Sequence, residues 1–156
     1  MPRILEPPLR YQEFFHGLAP VHLDLMADCA VRAEFDDGEF LFREGTRAEA
    51  FFLIDAGGVA LEIAAPGNGA LVVQTLGAGD VAGFSWLIEP HVWTSDGRAV
   101  GRVRAIQFNG GCLRAKCAED TGLGYELMRR FAALASGRLQ ATRLQLLDVY
   151  GHAHRR

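Results

Sequence analysis

The chain has 156 residues, 49% of them hydrophobic and 22% charged, which suits one compact domain and excludes a disordered polypeptide. Its net charge of −3 supplies no overall positive field to draw it to nucleic acid, and Lys116 is the only lysine among basic residues that are otherwise arginine. No apolar run approaches the roughly 20 residues needed to span a bilayer, and the opening Met1-Pro2-Arg3-Ile4-Leu5-Glu6-Pro7-Pro8 has no apolar signal core. Cys29, Cys112 and Cys117 form an odd set without a Cys-x-x-Cys pair. No disulfide framework is expected from them, and a reduced, cytoplasmic setting is the reading that follows.

Residues 1–10 are proline-rich and read as an arm. From 11 to 30 the pattern is helical: Phe14, Phe15, Leu18, Leu23, Leu25, Met26 and Cys29 supply apolar positions. Gly17 and Pro20 divide the run into two short helices. Asp36-Asp37-Gly38 marks a turn. Between residues 38 and 108 the period becomes that of strands, with apolar stretches at Phe40-Leu41-Phe42, 50–54, 59–63, 71–76, Ala99-Val100 and 103–108. Glycines punctuate them, and Asn68-Gly69 is the best local hairpin signal because both residues tolerate positive φ. Many short strands at this spacing predict a closed or double-sheet β architecture, which leaves few exposed edges.

The last third returns to helix. Residues 112–118 form a short one, and Asp120 or Thr121 can cap a long one over 121–149. Met128, Ala132, Ala135, Leu139, Thr142, Leu146 and Val149 recur at spacings of four and three, a heptad stripe. Leu127, Phe131 and Leu134 form a second face that can pack on the β-roll. The stripe is covered either by a second copy, making a homodimer, or by further packing within one chain. Gly137 weakens the helix by about 1 kcal/mol relative to alanine, so the helix needs such packing.

Gly38-Glu39-Phe40-Leu41-Phe42-Arg43-Glu44-Gly45 and Ala50-Phe51-Phe52-Leu53-Ile54-Asp55-Ala56-Gly57-Gly58-Val59 resemble the first half of a cyclic-nucleotide-binding domain. Leu76-Gly77-Ala78-Gly79-Asp80-Val81-Ala82-Gly83 resembles the approach to that family's phosphate-binding cassette, and Val103-Arg104-Ala105-Ile106 the strand beyond it. The resemblance covers about residues 14–150 and implies a mainly β fold: a double-stranded β-helix, or jelly roll, with N-terminal helices and a long C-terminal helix. It also implies that a short helix, here Phe84-Ser85-Trp86-Leu87-Ile88, points its amides at a phosphate, since helix N-termini favour anions.

Two departures matter. In typical binders the glycine matching Gly83 precedes a glutamate that holds the ribose hydroxyl; this chain has Phe84. The family then uses an arginine on the phosphate. Counting forward from Gly83 reaches Trp93 or Thr94, whereas counting back from Val103 reaches Arg98, so either Arg98 survives as that partner or no arginine does. Losing such a contact costs on the order of 2–5 kcal/mol, which predicts weakened cyclic-nucleotide binding. The candidate ligand site is then Val81, Ala82, Gly83, Phe84, Ser85, Trp86, Trp93, Thr94, Ser95 and Arg98, with Thr142 and Arg143 as a helix lid. Aromatic faces there can stack a ring while hydroxyls and amides hold an anion, and His91 lies on the intervening loop. Alternatively, Trp86 and Trp93 fill the space.

Other chemistries lack their residues. A cupin-type metal enzyme needs clustered histidines, and none lies between His22 and His91; His152 and His154 make only a short tail pair. Gly-x-Ser-x-Gly, P-loop and His-Glu-x-x-His patterns are absent, and Cys112 and Cys117 read as buried small hydrophobes, so no enzyme is expected. Only Gly151 to Arg156 follow the long helix, too little for a helix-turn-helix, and Arg155-Arg156 is a small basic patch, so direct DNA binding is not expected. Two functions from different classes remain. One is a dimeric, non-catalytic sensory or regulatory module that binds a nucleotide or another small anion-bearing ligand. The other is a ligand-free accessory subunit that docks a protein partner. Neither needs a cofactor or a membrane.

Overall fold

The computed structural model describes residues 13–67 and 69–154. The proline-rich arm, Asn68 and Arg155-Arg156 lie outside the described residues, as do the side chains of His152 and His154. A 3-10 turn at Glu13–Phe15 precedes α1 (Pro20–Ala27), the break between them falling where Gly17 and Pro20 predict it. Strands follow at Ala30–Phe35 (β1), Phe40–Phe42 (β2), Ala50–Ala65 (β3), Gly69–Leu76 (β4), Val81–Ala82 (β5) and Asp96–Asn109 (β6). Two helices close the chain, α2 (Gly110–Glu119) and α3 (Thr121–His154).

The described strands pair antiparallel in the order β1-β6-β3-β4, with β2 also on β6 and β5 also on β3. This is the mainly β roll with flanking helices that the family resemblance implies. Three details differ. The roll begins at Ala30, because Val31 to Phe35 pair with Gln107 to Val103. The stretches 50–54 and 59–63 belong to one strand, β3, and Ala99-Val100 joins 103–108 in β6. The glycines that look like breaks are bends within continuous strands. The β3–β6 register shifts on both sides of Ala56, and Gly57 there has φ +92°, a conformation open to glycine. A Cβ at Gly57 would overlap the Arg102 carbonyl oxygen, so the close backbone approach also requires glycine.

The residues 50–54 form an unbroken apolar run because both faces of β3 are covered. Phe52 and Ile54 face the interior of the roll with Val59, Val103 and Trp93. Phe51 and Leu53 face outward into a second core built with Phe15, Met26, Leu127 and Phe131 from the helices. Asn109 Oδ1 accepts from Cys112 N at 2.8 Å, capping α2, and Asp120 Oδ1 accepts from Leu123 N at 3.2 Å at the start of α3.

One expectation from the cysteine pattern is corrected. Cys29 and Cys112 form a disulfide, with Cα atoms 5.7 Å apart and a sequence separation of 83. Their adjacency is set by the fold. Ala30 pairs with Phe108, and Asn109 N donates to Cys29 O at 2.8 Å, which brings the end of α1 beside the first turn of α2. Cys117 is the free thiol. Burial, with a smaller contribution from Asp120, raises its pKa, so it is protonated at neutral pH and a poor nucleophile.

The long helix buries Leu123, Leu127 and Phe131 against the roll, with Leu134 half-buried. The heptad stripe lies elsewhere: Met128, Leu139, Leu146 and Val149 are about half or more exposed, so packing within one chain does not cover it. Among the described residues no helix is long and apolar enough to cross a membrane.

Candidate functional site

The segment between β5 and β6 forms the site. It leaves β5 at Gly83, whose φ of +95° admits glycine, and a Cβ there would come within 2.5 Å of Trp93 Cζ3. The predicted short helix at 84–88 is instead a pair of turns, in which Leu87 N donates to Phe84 O (3.1 Å) and Ile88 N to Ser85 O (3.3 Å). Both bonds reach back three residues, so no α-helical turn forms and the dipole available to an anion is correspondingly small. The return is stitched to the preceding loop: Trp93 N donates to Thr46 O, Gly45 N to Trp93 O and Ala48 N to His91 O. Asp96 Oδ1 accepts from Glu44 N at 2.7 Å and lies 3.5 Å from Arg43 Nε.

These contacts leave a cavity of about 290 Å³ between the roll and α3. Small-ligand pockets start at roughly this size. Gly83, Phe84, Ser85, Trp93, Thr94 and Ser95 line it from the loop, and Thr142 lines it from α3. Their backdrop is apolar, made by Phe42, Leu61, Ile63 and Val73. Trp93 stacks on Phe42 with centroids 3.9 Å apart and 11° between planes, so the tryptophan fills part of the roll interior while one face borders the cavity.

Other predicted positions lie elsewhere. Val81 and Ala82 are buried in β5. Trp86 is fully buried in the outer core, stacked on Phe51 at 5.3 Å and edge-on to Phe131 at 5.5 Å. Its carbonyl accepts from Arg114 Nη1 at 2.6 Å, and its indole N–H is without a hydrogen-bond partner. His91 and Arg143 are not among the lining residues.

Arg98 is held outside the cavity. It pairs in register with Ala60, whereas its neighbour Gly97 points inward, where a Cβ would meet the Phe42 ring. Alternation along β6 therefore sends Arg98 to the outer face. There its Nε donates to Glu62 Oε1, and the pair makes an internal ion bridge. Of the two countings, neither places a phosphate-binding arginine from the strand region in the cavity.

The charged group that does reach the cavity is one that sequence reasoning missed. Arg138, four residues before Thr142 on the same helix face, lines it and donates from Nη2 to the Val81 carbonyl. Its guanidinium carbon lies 5.9 Å from the Phe84 ring centre. Burial lowers its pKa, while Asp80 acts in the opposite direction. The i, i+4 relation to Thr142 was the available signal, since Arg143 is turned about 100° away from Thr142 on an α-helix. Among the described residues no group of His, Cys, Asp and Glu is placed to hold a metal ion.

The sequence profile of the cyclic nucleotide-binding domain matches residues 32–120, more than half of the chain. The chain belongs to the cyclic nucleotide-binding domain family. A protein from Geobacter metallireducens assigned as cyclic nucleotide-binding is 32% identical, with a TM-score of 0.77 over 85% of this chain and 96% of that one. The catabolite activator protein of Thermus thermophilus is 26% identical, with a TM-score of 0.69 over 88% of this chain and 62% of that one. A CRP-like cAMP-activated global transcriptional regulator of Mycobacterium tuberculosis is 24% identical over 135 residues, 86% of this chain and 58% of the relative. The chain thus spans little more than half the length of the curated relative. In this member of the cyclic nucleotide-binding domain family, Phe84 follows Gly83 at the edge of the cavity.

Proposed function

We propose that this chain is a non-catalytic regulatory module whose cavity between roll and α3 binds a small anion-bearing ligand, with cyclic and linear nucleotides as the first candidates. The observation that carries the reading is the cavity itself, bordered by aromatic faces, hydroxyls and one guanidinium in a member of this family. Occupancy would act on α3, because Arg138 and Thr142 reach the cavity from that helix. A ligand shifts the helix only by its differential affinity for the two arrangements. The module acts as a homodimer, and the Cys29–Cys112 disulfide withdraws the cysteine argument for a reduced, cytoplasmic setting. The exposed stripe of α3 continues an apolar groove formed by Phe84, Leu87, Ile88, Met128 and Ala132, and a second α3 fits that heptad spacing.

Melting curves recorded with cyclic AMP, cyclic GMP and AMP test this. A ligand at a hundred times its Kd stabilises the native state by about 2.7 kcal/mol, expected to raise Tm by roughly 5–10 °C for a chain of this size. No response to any of the three would count against ligand binding. It would favour the second reading, a ligand-free accessory subunit, to which the stacking of Trp93 on Phe42 inside the roll lends its support.

A further inference from the structure

Arg138 stands apart from the other arginines of the cavity's surroundings. Arg98 is paired with Glu62, Arg43 with Asp96, and Arg130 with Glu126. Arg138 is half-buried, yet among the described residues its hydrogen-bond partner is one neutral group, the Val81 carbonyl. Asp80 is near enough to influence it, but that carboxylate is engaged with Gly77 N at 2.8 Å and makes no ion pair with Arg138 among the described residues. A guanidinium carries five N–H donors, so one that is half-buried and held by a single neutral acceptor, with its nearest carboxylate not in direct contact, has donors to spare for an anion. Of the residues lining the cavity, Arg138 alone is charged. The rest of the lining offers ring faces, aliphatic side chains, the hydroxyls of Ser85, Thr94, Ser95 and Thr142 and the Gln74 amide, all neutral, with no carboxylate to accept from a vicinal diol.

We infer that Arg138 is the anion-binding residue of this cavity and that the ligand is a flat aromatic molecule carrying one anionic group. The proposal rests on the cavity reading above and adds to it both the residue and the ligand class. The ring would lie against Trp93 and Phe84, with the anion on the guanidinium, which arrives from α3 rather than from the roll. A bidentate anion would draw the guanidinium from the Val81 carbonyl, since charge-assisted pairs outweigh a neutral acceptor. Occupancy would thereby release the hydrogen bond that ties α3 to β5.

The chemistry is shared by a nucleotide and by an aryl carboxylate, and the test separates them. Trp fluorescence titrations of the full chain would use cyclic AMP with neutral adenosine, and naphthoate with its neutral amide. Saturable binding of at least one anion is expected. In Arg138→Gln that affinity should fall about ten- to a hundred-fold, while the neutral counterpart changes little. Arg138→Lys, which keeps the charge but not the fork, should fall between the two. If Arg138→Gln does not give a cooperative melt, the anion-to-neutral affinity ratio in Arg138→Lys decides, and an unchanged ratio overturns the assignment. A parent that binds an anion while Arg138→Gln binds it equally well sinks this inference and leaves the cavity reading standing. A parent that binds neither anion sinks both.

Discussion

Phe51→Ala is expected to destabilise the fold by about 3–5 kcal/mol, the usual range for emptying a buried phenylalanine site. Phe51 is fully buried on the helix-facing side of β3. It stacks on Phe108 at 4.4 Å and on Trp86 at 5.3 Å, and meets Phe131 edge-on at 5.1 Å. Strand β6, the cassette loop and α3 therefore meet on this one ring. None of the neighbours can fill the void without leaving another contact. For a chain of this size the expected fall in Tm is roughly 6–20 °C. Phe40→Ala is the matched control. Its ring is 39% exposed beneath the Arg43 guanidinium, so its loss is expected to cost about 1 kcal/mol or less. Equal effects in denaturant titrations of the two variants would contradict this assignment of the outer core.

Reduction of the Cys29–Cys112 disulfide is expected to be nearly as damaging. The bond closes a sequence separation of 83 residues that contains most of the roll. A loop of that length gives a chain-entropy stabilisation of about 4.5 kcal/mol, with strain and residual structure in the unfolded chain reducing it toward about 2. Tm should fall by roughly 5–15 °C in the presence of a phosphine reductant, and Cys29→Ala should melt at the same lowered temperature with or without reductant. The raised pKa of Cys117 limits exchange at neutral pH, so a linked Cys29–Cys112 peptide should dominate non-reducing digests. An unchanged melting curve, with both peptides recovered as free thiols, would contradict the bond.

Legibility in the sequence followed the range of the interactions involved. The roll was readable because glycine at Gly57 and Gly83 answers local backbone demands, and the long helix because its apolar spacing is local too. Strand β1 was not, since Ala30 to Phe35 mixes Arg32 and Glu34 with small residues and only pairing with β6 makes it a strand. The disulfide was invisible for the same reason: register, not spacing, brings Cys29 to Cys112. At the site, Gly83, Phe84, Ser85, Trp93, Thr94 and Ser95 were readable as one loop. The face taken by Arg98 was not, because it depends on alternation with Gly97 through a register the sequence does not display. Arg138 was hidden among Arg129, Arg130 and Arg143 on one arginine-rich helix.

The central claim is that ligand enters between the cassette loop and α3. Backbone amide mapping by NMR during a cyclic AMP titration tests it most directly. The largest shifts are predicted at Gly83, Phe84, Ser85, Thr94, Ser95 and Thr142, with progressive, saturable movement. Shifts confined to the outer face around Glu62 and Arg98, or none at all at millimolar ligand, would contradict it.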